Sequence, residues 1–151
     1  MKKKLNGRSH FLRNGMSPNE WWELYQQAQD INPQIVKVYE FNETEMTITM
    51  EHVSGFSLND VQTVQKLDIK ERRNITAMIL ELYASMFKFN VSEEAIFMHR
   101  DFLLPNIMYT EDKNLKLVDP DSFMLIYPKG PNSVFYGNLF DTLICCKEWE
   151  R

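Results

Sequence analysis

The feature that most constrains this chain is a spaced set of polar side chains. They lie around two short apolar segments, residues 107–109 and 115–118. Asp101, Asn106 and Asp119 follow one another at intervals of five and thirteen residues. Between the last two, the apolar segments are separated by five polar residues, which predicts a small hairpin. Because Leu115–Val118 leads directly into Asp119, such a hairpin would place Asn106 and Asp119 at neighbouring strand ends. This spacing is typical of a functional site.

The length and composition indicate one globular domain. The chain has 151 residues, of which 44% are hydrophobic and 25% are charged, an ordinary balance for a soluble protein. A chain of this size buries about two thirds of its unfolded surface, so we expect a single core. The formal net charge of −4 leaves no general basic field, and we therefore expect no nucleic-acid partner.

The sequence also predicts the cellular setting. Three lysines follow Met1, but residues 5–10 are mostly polar where the apolar core of a signal peptide would follow. No apolar run approaches the length of a membrane span. The two cysteines, Cys145 and Cys146, are adjacent and can scarcely pair with each other. We expect a cytoplasmic protein with no membrane partner.

Local patterns predict a mixture of short strands and helices. Asn6-Gly7 suits a tight hairpin turn, and Ser17-Pro18 followed by Glu20 is typical of a helix start. An apolar stripe of helical period marks the clearest helix. The predicted elements are a hairpin of 3–5 with 8–13, a helix from Ser17 to Ala28 or Gln29, an antiparallel pair of 35–41 with 45–53, a bend at Gly55, a short helix that starts at 57–60, a helix over 68–90, a strand at 96–98, the hairpin of 107–109 with 115–118, an irregular stretch over 122–138 and a helix over 139–149.

The motifs resemble those of protein kinases. His99-Arg100-Asp101 with Asn106 at the fifth position matches the kinase catalytic loop, and Asp119 lies at a kinase-like distance beyond it. The segment 48–58 is similar to the kinase hinge. The resemblance implies an α+β, truncated kinase-like fold, with a reduced antiparallel N-lobe sheet and one helix over 1–53 and an abbreviated helical C-lobe over 54–151.

This resemblance also implies roles for individual residues in binding ATP and magnesium. Asp101 would orient or deprotonate an acceptor hydroxyl, and Asn106 and Asp119 would hold Mg²⁺. Backbone groups of Glu51 and Val53 would contact adenine. The further candidates are Ile48 or Met50 beside the adenine, Arg13 or Lys4 as the phosphate-binding cation, Glu20 or Glu23 as the helix carboxylate that pairs with it, and Asp141 as a support of the catalytic loop.

The departures from the kinase pattern leave the function open between two alternatives. No glycine-rich phosphate loop precedes the first strands, and Asp119-Pro120-Asp121 replaces the usual DFG, as in the atypical and small-molecule kinase branches. Asp121 is then either a second metal ligand or a turn cap.

The chain is expected to transfer the γ-phosphate of ATP to a hydroxyl of a protein or small molecule. The alternative is a pseudokinase or nucleotide-binding regulatory module. A partner protein or a second copy is expected at an open edge of the N-lobe sheet.

Overall fold

The computed structural model describes residues 1–127 and 134–149. Helices and antiparallel strands are mixed along the chain, which confirms the predicted α+β class. The strands are β1 (Lys2–Lys4), β2 (Val38–Asn42), β3 (Thr47–Met50), β4 (Gly55–Ser57), β5 (Ile96–His99), β6 (Ile107–Thr110), β7 (Leu115–Leu117) and β8 (Phe123–Ile126). The helices are α1 (His10–Arg13), α2 (Pro18–Ile31), α3 (Val61–Val64), α4 (Ile69–Ser85) and α5 (Val134–Glu148).

The strands form three small antiparallel sheets. The first has the order β1-β3-β2, the second β4-β6-β7, and the third is the pair β5-β8. In the first sheet Lys3 lies opposite Ile48, and Ile48 is fully buried. Cross-strand partners point to the same face of a sheet, so Lys3 is the lysine of β1 that points inward.

Ser17 and Pro18 determine where helix α2 begins. The Ser17 hydroxyl accepts the backbone N–H of Glu20 at 3.1 Å, and Pro18 occupies the first helical position, where no N–H is needed. Trp21, Tyr25 and Ala28 form the buried face. The predicted start is confirmed, and the helix continues to Ile31, two or three residues beyond the predicted end.

The predicted pair of N-lobe strands is confirmed, although both strands are shorter. β2 and β3 pair antiparallel, with Phe41 opposite Ile48. Ile35 and Val36 leave this pair and reach the second sheet. The Val36 N–H donates to the Leu117 carbonyl at 2.9 Å, and the Leu117 N–H donates to Gln34 at 2.8 Å. These bonds tie the segment between α2 and β2 to the strand that leads into Asp119.

Gly55 lies at a position that only glycine can occupy. Its φ is +148°, and a Cβ atom there would lie 2.1 Å from the Tyr109 carbonyl oxygen. This close approach lets β4 pair with β6, so the predicted bend is confirmed. The short helix that follows is α3, which begins at Val61 directly after its Asp60 cap, at the end of the predicted start over 57–60.

The long predicted helix and the second hairpin are confirmed. Asp68 caps α4 by accepting the Glu71 N–H at 2.7 Å, and a short 3₁₀ turn at Met86–Lys88 continues the helix. β6 and β7 form the hairpin expected between Asn106 and Asp119. The buried residues of the α4 stripe are Ile75, Ile79, Leu82, Tyr83 and, in the 3₁₀ turn, Met86.

The predicted opening hairpin is wrong. β1 pairs with β3, and His10–Arg13 is helical. The Asn6 carbonyl accepts the Ser9 N–H at 2.9 Å, while the Asn6 side chain accepts the Arg8 N–H at 2.8 Å. Such a side-chain turn directs the chain into a helix instead of back along a strand. Arg13 therefore lies on a helix and not at the strand position that the resemblance implied.

The predicted irregular stretch over 122–138 is wrong in two places. Phe123–Ile126 form β8, which pairs with β5, and α5 begins at Val134 instead of Leu139. Three of the four β8 residues are buried, so this strand lacks the apolar–polar alternation that marks a half-buried strand. Residues 128–133 of that stretch lie outside the described residues.

One continuous apolar core joins the sheets and helices. Trp21 stacks on Phe11 with ring centroids 4.9 Å apart, and Tyr25 meets Phe123 edge to face at 5.3 Å. Through these rings α1 and α2 pack against β8. In the part of the chain that is described, no helix combines the length and apolar character needed to cross a bilayer.

Candidate functional site

His99 fixes the loop that carries Asp101. The imidazole is fully buried; one ring nitrogen, Nε2, lies 2.8 Å from the Val118 carbonyl, and Nδ1 accepts the Asp101 N–H at 3.1 Å. Burial lowers the pKa of His99, against smaller raising effects of Val118 and of nearby aspartates. The neutral ring must then carry its proton on Nε2, because Nδ1 acts as an acceptor. His99 is an anchor between the loop and the end of β7.

Asp101 and Asn106 are bound to each other. The Asn106 amide nitrogen donates to the Asp101 carbonyl at 2.9 Å and to Asp101 Oδ2 at 3.1 Å. The Val118 N–H donates to the Asn106 carbonyl at 2.8 Å. This last bond places Asn106 beside the residue that precedes Asp119, as the predicted hairpin requires. The three residues singled out by their spacing are therefore brought together.

Asp119 and Asp121 lie on a tight turn between β7 and β8. Asp119 has a left-handed backbone with φ of 67°, a conformation that aspartate tolerates better than most residues. Asp119 Oδ2 accepts the Ser122 hydroxyl at 2.6 Å. Asp121 Oδ2 accepts the hydroxyl of Ser9 at 2.8 Å.

Lys3 is the cation of the site, and the sequence analysis missed it. Its ammonium donates to Asp119 Oδ1 and, at 2.6 Å, to Asp121 Oδ1. Burial alone would lower the pKa of Lys3, but the hydrogen bonds that it donates to the two aspartates, together with their negative charge, outweigh burial and raise the pKa. Burial likewise opposes ionisation of Asp119, but Lys3 and Ser122 hold the pKa of that carboxyl well below its ordinary value. The Lys3 ammonium therefore bridges the two carboxylates of the turn.

The predicted cation candidates lie elsewhere. Lys4 is exposed, on the face of β1 opposite to Lys3 because strand neighbours alternate. Arg13 is exposed and contacts His10 Nδ1 at 3.2 Å. Glu20 and Glu23, the proposed helix carboxylates, are also exposed. The alternation of apolar and polar residues along β3 is the sequence feature that could have identified Lys3. Once β1 is paired with β3, the middle lysine lies opposite the buried Ile48.

The backbone and side chains of the predicted hinge segment are partly used in contacts within the fold. The Glu51 N–H donates to the Lys37 carbonyl at 2.9 Å, which leaves the Glu51 carbonyl as its remaining backbone group. The Glu51 carboxylate accepts Lys116 at 2.8 Å and the Lys37 N–H at 2.7 Å. Across residues 1–127 and 134–149, the backbone of Val53 enters no hydrogen bond. Ile48 and Met50 are both buried behind this segment.

Helix α5 supports the loop that carries Asp101, but through other residues than Asp141. The Asn138 amide donates to the Arg100 carbonyl at 2.8 Å, and the buried Thr142 hydroxyl donates to the Phe102 carbonyl at 2.9 Å. Asp141 is exposed. The prediction located the correct helix and the wrong side chain.

The donor set fits magnesium. Asp119, Asp121 and the Asn106 amide oxygen are hard oxygen donors, the type that Mg²⁺ prefers. The two carboxylates already share one cation, the Lys3 ammonium. Among the described residues, no group of three or more His, Cys, Asp or Glu is arranged to hold a metal. A metal here would depend on the asparagine and on oxygens brought by a ligand.

A separate cleft of about 570 Å³ adjoins the hinge. It is lined by residues 51–54, by the tip of the β6–β7 hairpin and by Pro33 and Gln34. Neither Lys3 nor the three spaced polar residues line it. The acidic cluster and this cleft are therefore different places on the molecule.

The chain is similar to a known protein family and to a solved structure. The family model described as the ABC1 atypical kinase-like domain matches residues 1–124. A solved structure titled "PpkA-294 apo form" is similar at 20% sequence identity with a TM-score of 0.47. The alignment covers 82% of this chain and 40% of that one, so the chain spans well under half of that structure's length. No curated protein matches.

Proposed function

The chain belongs to the family of ABC1 atypical kinase-like domains, and from that premise we propose that it binds ATP with magnesium and transfers the γ-phosphate to a hydroxyl acceptor. The family membership makes it a kinase-like protein. The transfer itself is the proposal. One observation carries it: Asp101 and Asn106 are locked together beside a strand end that presents Asp119, and Lys3 meets Asp119 from β1.

Asp101 is the group placed to receive the acceptor's proton. Asn106 occupies its Oδ2 at 3.1 Å, and His99 holds its backbone N–H, so the carboxylate is oriented before a substrate arrives. In the reaction, the acceptor oxygen forms a bond to the γ-phosphorus, the bond from that phosphorus to the bridging oxygen breaks, and ADP leaves. The acceptor's proton passes to Asp101. Most of the rate in such transfers comes from positioning and charge stabilisation.

Lys3 supplies the positive charge toward the phosphates. Its side chain is about one-third exposed, at 32%, so it can reach a ligand while it still contacts a carboxylate. Asn106 and Asp119 would hold Mg²⁺, which supplies neutralisation of the phosphate charge when bound. The Glu51 carbonyl and the backbone of Val53, which makes no hydrogen bond within the described residues, are the groups proposed for adenine recognition.

Transfer of labelled phosphate tests the proposal. Purified protein is incubated with γ-labelled ATP and Mg²⁺, with itself, generic proteins and a small-molecule extract as acceptors. We expect incorporation that falls at least about 100-fold in Asp101→Asn and Asp119→Asn, since each removes a group needed for proton acceptance or charge stabilisation. Asp30→Asn, an exposed aspartate of α2, is the matched control and should leave transfer unchanged. Equal incorporation in all four proteins would contradict the proposal.

A second candidate function is nucleotide binding without transfer. It is favoured by the closed arrangement of the acidic turn, where each of the four carboxylate oxygens already accepts a hydrogen bond from Lys3, Ser9 or Ser122. ATP binding together with no incorporation into any acceptor would support this candidate against the first.

A further inference from the structure

The carboxylates that contact Lys3 do not come from helix α2. Helix α2 presents Trp21, Tyr25 and Ala28 to the core, and its glutamates at 20 and 23 are exposed. Both carboxylates on the Lys3 ammonium belong instead to the turn before β8. The helix therefore gives the lysine no carboxylate, and the turn gives it two.

These two carboxylates differ in how far they are enclosed. The side chain of Asp121 is 12% exposed, whereas that of Asp119 is 32% exposed. Asp121 is held on one oxygen by Lys3 and on the other by Ser9, which is itself buried and lies on the N-terminal segment. Asp119 receives its second hydrogen bond from Ser122, three residues along the same turn.

The difference in enclosure assigns different tasks to the two groups. Mg²⁺ usually keeps several of its waters and binds through one or two carboxylates, so it needs an oxygen with open space around it. Both carboxylates accept hydrogen bonds, but the side chain of Asp119 is the more exposed of the two and is therefore easier for a metal to reach. A carboxylate held between a lysine and a buried hydroxyl is suited to keep the lysine in one orientation.

We propose that Asp121 is the positioning residue for Lys3, in the place of a helix glutamate, and that Asp119 alone of the pair is shared with the metal. Ser9 orients Asp121 from behind. When nucleotide and metal bind, Lys3 releases Asp119 and keeps Asp121. The proposal rests on the proposed nucleotide binding and assigns the roles of the two aspartates within it.

A double-mutant cycle tests the positioning role. ATP affinity is measured by calorimetry in EDTA for the natural chain, Asp121→Asn, Lys3→Met and the double variant. Asp121→Asn should weaken binding about tenfold more in the presence of Lys3 than in the Lys3→Met background, the worth of one charge-assisted hydrogen bond. The matched cycle with Glu23→Gln should show no coupling. Equal effects of Asp121→Asn in both backgrounds, or coupling at Glu23, would overturn the proposal.

Magnesium dependence tests the division of roles. The ratio of ATP affinities with Mg²⁺ and with EDTA should be kept in Asp121→Asn and lost in Asp119→Asn. This ratio reports only whether a carboxylate binds the metal, and the double-mutant cycle distinguishes a positioning role of Asp121 from a purely structural one. Loss of the ratio in Asp121→Asn would instead make Asp121 a metal ligand.

The proposal can be separated from the proposed function. If the natural chain binds no ATP in either buffer, the proposed nucleotide binding is refuted. The coupling between Lys3 and Asp121 can still be measured, by applying the same double-mutant cycle to the free energy of urea unfolding of the free protein. Absence of that coupling would refute the pairing. Ser9→Ala, which removes no charge, guards against misfolding of the aspartate variant and should weaken ATP binding in EDTA in the same direction by a smaller factor.

Discussion

The acidic half and the basic half of the site are held in place by different kinds of contact. The acidic half, residues 99–122, is joined by hydrogen bonds between residues five and nineteen positions apart. The basic half is the N-terminal segment, residues 1–16, and its bonds to the acidic half span 112 to 118 positions. The first half can therefore form once one hairpin closes, whereas the second depends on the packing of the whole domain.

Replacing His99 should produce the largest loss of stability. His99→Leu leaves the Val118 carbonyl and the Asp101 N–H without their buried partners, which should lower the free energy of unfolding by about 3 kcal/mol. His52→Leu, at an exposed histidine of the hinge, should change it by less than about 0.5 kcal/mol. Urea unfolding followed by circular dichroism measures both. Similar effects of the two substitutions would show that the acidic half is not anchored through this ring.

Replacing Lys3 should have a smaller effect on stability. Lys3→Met leaves two aspartates facing each other, but the cluster is partly exposed, so we expect a loss of about 1.5 kcal/mol. Lys2→Met makes the same charge change at an exposed position of the same strand and should be nearly neutral. A loss that is equal for both lysines would mean that the ion cluster does not hold the N-terminal segment.

Acid should weaken the His99 anchor within the acidic half and the Lys3–Asp119 contact between the two halves in separate pH windows. Because burial lowers the pKa of His99, only the unfolded chain takes up this proton below its ordinary value of about 6.5, and stability falls by about 1.4 kcal/mol for each further pH unit. Asp119, whose folded pKa is depressed, contributes stability above about pH 3.9 that is lost only below it. In urea unfolding, the loss of stability below about pH 6.5 should be absent in His99→Leu. The loss of stability below about pH 3.9 should be smaller in Lys3→Met than in the natural chain. A loss of unchanged size below about pH 6.5 in His99→Leu would contradict this assignment.

The two serine donors offer the smallest and most closely matched comparison. Ser9→Ala removes a buried, long-range hydrogen bond to Asp121 and should cost about 1 kcal/mol. Ser122→Ala removes a local one to the more exposed Asp119 and should cost about half as much. Unfolding free energies decide the order. A greater loss for Ser122→Ala would reverse our view of which carboxylate is more enclosed.

The same contrast explains what could be predicted from the sequence. Asp101, Asn106 and Asp119 could be predicted because one short hairpin relates them. Lys3 could not be distinguished from Lys2 and Lys4, since only the pairing of β1 with β3 selects it. The Asn6-Gly7 pattern suggested a hairpin, but the Asn6 side chain closes a turn that leads into α1. Asp141 was chosen by resemblance, whereas burial of Thr142 decides which α5 side chain faces the loop.

We propose that Lys3 and the acidic turn together form a nucleotide-binding site. Calorimetric titration of the natural chain, Lys3→Met and Lys2→Met with ATP and Mg²⁺ tests it most directly. We predict that the natural chain and Lys2→Met bind alike and that Lys3→Met binds about tenfold more weakly, the worth of one charge-assisted contact. Absence of binding by the natural chain, or the same affinity in Lys3→Met, would contradict the claim.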